Sequence, residues 1–163
     1  MLNKNSSKST KRILAIILVL ITFITSQTSV MAATKLTRTV TAINDMSVSA
    51  SAGKTANSNT ITFNFNSLPD NAVIEDIKVD CSNVSHIGGM GAIVAQSLTI
   101  TSPDGITQVI PWKSGNIIST SLFDGKSVKG TWSVYMTGTN ISSSYYGGIK
   151  YSNVEMTITY TKE

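Results

Sequence analysis

Cysteine and histidine are nearly missing from this chain. Cys81 is the only cysteine and His86 the only histidine among 163 residues. One cysteine excludes an internal disulfide. One of each, five positions apart, is no transition-metal cluster, because such sites gather several His and Cys ligands. A histidine-based relay would have to run through His86, and no serine stands in a glycine-x-serine-x-glycine setting. Charge is sparse too, at 13% Asp, Glu, Lys and Arg. There are three prolines, and beyond the first thirty or so residues no apolar stretch repeats with the 3.6-residue period of a helix.

Where charge does gather is at the start. Lys4, Lys8, Lys11 and Arg12 precede the apolar run Ile13–Ile21, and a polar stretch leads to Val30-Met31-Ala32. A basic start, a short apolar core and small residues three and one before a cut describe a secretory signal peptide. An uncleaved anchor is the rival, but the apolar core falls short of the roughly 20 residues a spanning helix needs. The expected organisation is a leader over 1–32, cut after Ala32 or Ala33, and one domain over 33–163 with no stable membrane anchor. The leader holds four of the 13 basic residues and none of the nine acids, so the remainder carries nine of each. A neutral domain has no basic footprint for nucleic acid. A lysine-rich leader before an almost cysteine-free domain points to a secreted, extracellular protein of Gram-positive bacterial type.

The remaining 130 or so residues alternate. Ile61, Phe63 and Phe65 stand against Thr60, Thr62, Asn64 and Asn66. Ile77, Val79 and Cys81 stand against Asp76, Lys78 and Asp80, which are expected to face water. Trp132, Val134 and Met136 oppose Thr131, Ser133, Tyr135 and Thr137. Val154, Met156, Ile158 and Tyr160 end a strand expected over 149–161. A period of two marks half-buried strands. Between them lie turn signals: Ser102-Pro103-Asp104-Gly105, Phe123-Asp124-Gly125, and the glycines of 82–91 and 138–148. Short strands with Ser/Thr-rich wet faces predict an all-β, antiparallel β-sandwich. Its expected core includes Phe63, Phe65, Trp132 and Phe123, the last anchoring the mixed segment 113–129. Cys81 is expected to be a small buried residue.

In order, Ser102-Pro103-x-Gly105, Phe123-x-Gly125 and, after four residues, Gly130-Thr131-Trp132 resemble the P domain that follows the catalytic domain of subtilisin-like proprotein convertases. Ile74–Val79 and His86 match that family's lead-in strand and histidine more loosely, and the resemblance spans roughly 71–160. It implies a galactose-binding-like jelly roll, a core position for Trp132, and a module that is not itself catalytic. The family's acidic residue ahead of the Ser-Pro strand is missing, since 92–96 holds no carboxylate. Ser152, Asn153 and Val154 stand where the family has a later tryptophan.

The candidate ligand-binding residues are Tyr145, Tyr146 and Trp112, which sit in or beside loops, where aromatic rings can stack on sugars or anchor a protein; the alternative is that Trp112 and one tyrosine pack onto the core edge. No catalytic group and no cofactor is expected. Calcium is the one metal with donors in the chain, in Asp70, Asn71, Glu75, Asp76, Asp80, Asp104 and Asp124, but without calcium-loop spacing. The small, apolar 88–95 stretch is expected to be a loop entering a buried strand; a membrane-inserting or self-associating segment is the alternative. The functional expectation is a secreted, non-enzymatic binding module that engages an extracellular carbohydrate or protein through the 113–129 and 138–148 loops. The alternative is an exported structural or membrane-active protein that self-assembles through its edge strands. Oligomeric state is left open by the residues.

Overall fold

The computed structural model describes residues 33–162; the leader read over 1–32 lies outside the described residues. Twelve strands follow one another: β1 (Leu36–Thr41), β2 (Met46–Ala50), β3 (Thr55–Asn57), β4 (Ile61–Asn64), β5 (Ala72–Asp80), β6 (Val84–His86), β7 (Ile93–Thr101), β8 (Thr107–Pro111), β9 (Ile117–Thr120), β10 (Thr131–Asn140), β11 (Gly147–Tyr151) and β12 (Glu155–Lys162). All pairings are antiparallel.

The strand order explains the architecture. One sheet runs β1-β12-β5-β9, and a smaller one runs β2-β11-β6. The smaller sheet continues the larger. Asp80 pairs with Glu155 and Val84 with Tyr151, which keeps one register across the break. β1 with β2, β5 with β6, and β11 with β12 are therefore three long strands, each interrupted once. The facing sheet runs β3-β10-β7-β8, with β4 beside β3 along the same edge of β10. Merging these three pairs, and counting β3 with β4 as one edge strand, gives eight strands in two sheets of four, connected as two Greek keys. That is a jelly roll, the antiparallel β-sandwich expected from the period-two segments.

The core lies between the sheets. Trp132, Val134 and Met136 of β10 are fully buried, as are Phe123, Phe65, Ile77, Val79 and Cys81; Phe63 is nearly so. The Trp132 indole N–H donates to the Val128 carbonyl at 2.9 Å, which satisfies its one polar atom. Phe123 meets the Trp132 ring edge-on, 5.1 Å between centroids at 84°. The 121–128 segment is tied to the start of β5 by Gly125 N–H to Ile74 O, Ile74 N–H to Lys126 O and Val128 N–H to Ala72 O.

Several boundaries differ from the sequence pattern, each for a local reason. β7 begins at Ile93, within the 88–95 stretch expected to be a loop entering a buried strand, and the shift of its pairing with β10 between Thr137 and Gly138 leaves Gln96 without a partner in β10. That bulge breaks the alternation of 93–97. The strand expected over 149–161 is cut at Ser152–Val154, where Asn153 takes φ 51°. Short β6 and β9 lie inside the stretches 82–91 and 113–129, expected to be turn or loop, and short β3 follows the turn at Gly53. Three or four residues are too few to display a period.

Candidate functional site

The inward row of β10 does not end in an apolar side chain. After Trp132, Val134, Met136 and Gly138 comes Asn140, which is completely buried. A buried amide must find partners for two donors and an acceptor. Asn140 Nδ2 donates to Ala50 O and to Tyr145 O, each at 2.8 Å. Its Oδ1 accepts from Ser142 N at 3.0 Å and from Ser142 Oγ at 2.8 Å. Its backbone exchanges hydrogen bonds with the β2–β3 turn, Gly53 N–H to Asn140 O and Asn140 N–H to Lys54 O. One side chain thus fastens the loop over 141–146 to the sandwich.

A second loop, over 87–92, is pressed against the first. Gly91 N–H donates to Tyr146 O, Ile141 N–H to Ala92 O, and Ile87 N–H to Gly148 O. The approach is too close for side chains. A Cβ at Gly91 would lie 2.6 Å from Tyr145 O, and one at Gly89, whose φ is 48°, would fall on the Tyr146 carbonyl. Gly88 sits against the Tyr146 ring, with Cε1 at 3.8 Å from where its Cβ would be. Glycine is what lets two backbones interlock here.

On this base stand exposed apolar side chains. Met90 is 80% exposed, Ile141 65%, and Tyr145 and Tyr146 53% each. No charged residue occurs from Ile87 to Pro103 or from Gly130 to Ile149. The tip combines an aromatic pair, a methionine and an isoleucine on a hydrogen-bonded frame, with Lys54 in the adjoining turn.

Trp112 has another setting. Its ring lies tilted at 43° against buried Tyr151, 5.2 Å between centroids, its indole N–H donates to Asn116 Oδ1 at 3.1 Å, and it packs at the core edge. Those contacts lie away from the tyrosine loop. Of the 113–129 segment, 117–120 form β9 on β5, and Phe123 and Val128 are core residues. His86 is exposed on β6, opposite Ile149.

The carboxylates are dispersed. Glu75 pairs with Lys35 at 2.6 Å, Asp70 with Lys129 at 2.7 Å and Asp45 with Lys150 at 3.2 Å. The Ser82 and Ser102 hydroxyls hydrogen-bond Asp80 and Asp104 and hold both carboxyls below the usual range. Partial burial pushes Asp76 the other way. Among the described residues no three His, Cys, Asp or Glu side chains converge to hold a metal.

Met90 and the interlocking glycines of the tip lie in the 88–95 stretch, expected to be a loop with a self-associating segment as the alternative, whereas the sequence reading names neither Asn140 nor Ile141, inside the 138–148 loop, individually. One signal was available: the alternation of β10 places Asn140 on the inward row, where a polar side chain has to be fastening something.

No protein-family model matches the chain, and no curated protein matches it. Among solved structures, a chain in the crystal structure of the Aeromonas sobria serine protease (ASP) and chaperone (ORF2) complex is similar, at 11% identity and a TM-score of 0.41. The match covers 88% of this chain and 29% of that one, so this chain spans under a third of its length. A chain in the structure of infectious bursal disease virus Gx strain matches at 13% identity and a TM-score of 0.17, over 78% of this chain and 40% of that one.

Proposed function

We propose that the chain is an exported, non-enzymatic β-sandwich module that recognises an extracellular protein through its tyrosine loop. The observation that carries this reading is the tip itself: Met90, Ile141, Tyr145 and Tyr146 exposed together on loops locked by Asn140 and by glycine-to-backbone contacts. Exposed aromatic and methionine side chains are characteristic anchors of protein interfaces. A frame that is already ordered loses little entropy on binding. The want of charge across both loops favours an apolar contact over ion pairing. Export is supported by the basic-then-apolar leader, and the resemblance to the P domain fits a module that serves a partner instead of carrying out catalysis.

Assembly through edge strands is less well supported. The outer strands are short or interrupted: β9 has four residues, β3 three, β8 ends in Pro111 and β1 carries Arg38. These features blunt an edge.

Site-specific photo-crosslinking tests the proposal. A photoreactive residue at Met90 should crosslink one protein of the native secreted fraction, and the product should vanish with Tyr145→Ala/Tyr146→Ala. The same group at Thr37, on the far sheet, should give none. An undiminished product from the double variant, or a tip that retains only glycans on an array, would overturn it.

A further inference from the structure

The two sheets differ in charge. The strands of the first sheet carry Arg38, Glu75, Asp76, Lys78, Asp80, Glu155 and Lys162, and Asp76, Lys78, Asp80 and Glu155 lie on its outward row. In the facing sheet, β3, β4, β7, β8 and β10 contain no Asp, Glu, Lys or Arg at all. Charged residues near it stand only in the turns, as Lys54, Asp104, Lys113 and Lys129 do.

The outer surface of that sheet carries hydroxyls and amides, with exposed Val94 and Val109, around one aromatic ring. Tyr135 is half-buried on the outward row of β10, with Ser133 and Thr137 either side of it. Across the sheet it pairs with Thr99, which is buried beneath this surface, and Thr99 pairs in turn with exposed Val109. Neighbouring polar groups are already linked: Thr101 to Thr107 at 3.0 Å, Thr55 to Thr139 at 2.8 Å, and Thr137 Oγ1 donating to Asn57 Oδ1 at 2.8 Å. At about 3.4 Å per residue, the ten residues of β10 extend this surface over roughly 34 Å.

We propose that this outer sheet face is a platform for an uncharged polysaccharide, centred on Tyr135. A neutral polymer of hydroxyls finds here donors and acceptors at strand spacing and an apolar ring for a sugar face. Nothing ionic has to be desolvated on either side. A protein partner fits less well, because interface cores are enriched in aromatics, Met and Arg and depleted in Ser. Nucleic acid requires Lys and Arg against its phosphates, and the strands have none. The site is separate from the tyrosine loop and stands or falls independently of the protein reading there.

The test is co-sedimentation of the purified protein with insoluble neutral polymers (cellulose, chitin, β-1,3-glucan, starch, mannan), beside soluble polygalacturonate and heparin in gel-shift assays. Binding to at least one neutral polymer is expected, unchanged in molar salt. Tyr135→Ala should weaken it about tenfold, the scale of one stacked ring. Thr62→Asp, at an exposed position on the same face, should weaken it comparably without touching the core. It carries the test should Tyr135→Ala fail to fold. Thr37→Asp on the other sheet and Tyr145→Ala/Tyr146→Ala should bind as wild type. The proposal is overturned if no neutral polymer sediments the protein, if only the anionic polymers bind, or if Thr62→Asp binds as wild type.

Discussion

The ring of Pro103 closes over Gly130. A Cβ added at Gly130 would lie 2.5 Å from Pro103 Cγ, and Gly130 itself holds φ at 134°. This contact joins two turns that are far apart in sequence. Ser102–Gly105 reverses the chain between β7 and β8, with Gly105 N–H on Ser102 O. Gly130 launches β10, with its carbonyl accepting from Phe65 N–H. The Ser-Pro-x-Gly and Gly-Thr-Trp elements are thus two halves of one packing contact.

Gly130→Ala should therefore destabilise the domain twice over, through the clash and through a φ that L-residues avoid. A loss of about 2–4 kcal/mol is expected in urea unfolding, combining typical overpacking and backbone-strain costs. Adding Pro103→Gly, which removes both the Cβ and the Cγ in the way, should recover the part due to the clash and leave the strain, so the two changes will not be additive. Wild-type stability in Gly130→Ala would show that the approach is readily relaxed.

The two tryptophans should separate cleanly. Trp132 is wholly buried against Phe123, with its N–H satisfied, and truncating such a side chain costs about 3–5 kcal/mol. Trp112 is only half-buried, so Trp112→Ala should cost clearly less despite the loss of its Tyr151 contact. Denaturant midpoints of both variants decide the order. Iodide should quench Trp112 and spare Trp132 in the folded protein.

How far the sequence revealed the fold depended on uninterrupted alternation. β4, β5, β10 and β12 have long enough inward rows to be recognised, and with them the sandwich. β7 was obscured by its bulge at Gln96, and the β11–β12 break lacks glycine or proline, Asn153 taking the positive φ instead. The tip was half legible. Tyr145 and Tyr146 stood out as loop aromatics, but the grip of Asn140 on them exists only once β2, β10 and the loop are brought together. Trp112 was open to either reading in one dimension, and its packing at the core edge against Tyr151, 39 positions later, is a product of the fold.

Alkali should unfold the domain through two buried acids. Burial pushes the Cys81 thiol up to about 12 from 9.0 and the Tyr151 phenol up to about 12 from 10.0. Both are held protonated in the native state, while the unfolded chain releases their protons at the lower values. Their stabilising contribution is complete below about pH 9 and is lost progressively as pH rises towards 12. The urea midpoint should be level from pH 7 to 8.5 and fall steeply above 10. In the same range native Cys81 should resist thiol reagents that label it at once in urea. Rapid native labelling at pH 8 would contradict the burial.

Asn140 offers the sharpest test of how the tip is held. Its amide donates to the Ala50 and Tyr145 carbonyls while its oxygen takes two donors from Ser142. Asn140→Ala strands these partners, and an unsatisfied buried polar group costs about 1–3 kcal/mol. Limited proteolysis should then cut within 141–146 well before the rest of the domain. Asn140→Asp discriminates further, because it keeps the shape and the acceptor but turns a carboxylate oxygen towards two carbonyls. The fold should raise that carboxyl's pKa above the roughly 3.9 of an unfolded Asp, since only the protonated acid can donate. By linkage the variant should be closest to wild type at acid pH and lose stability as pH rises through the raised folded-state value. Tyr145→Ala/Tyr146→Ala, which removes exposed rings from the same loop, should shift stability by within about 0.5 kcal/mol per site. If Asn140→Asp matches wild type at neutral pH, or the tyrosine pair proves the more damaging change, the loop is held by its own side chains and not from beneath.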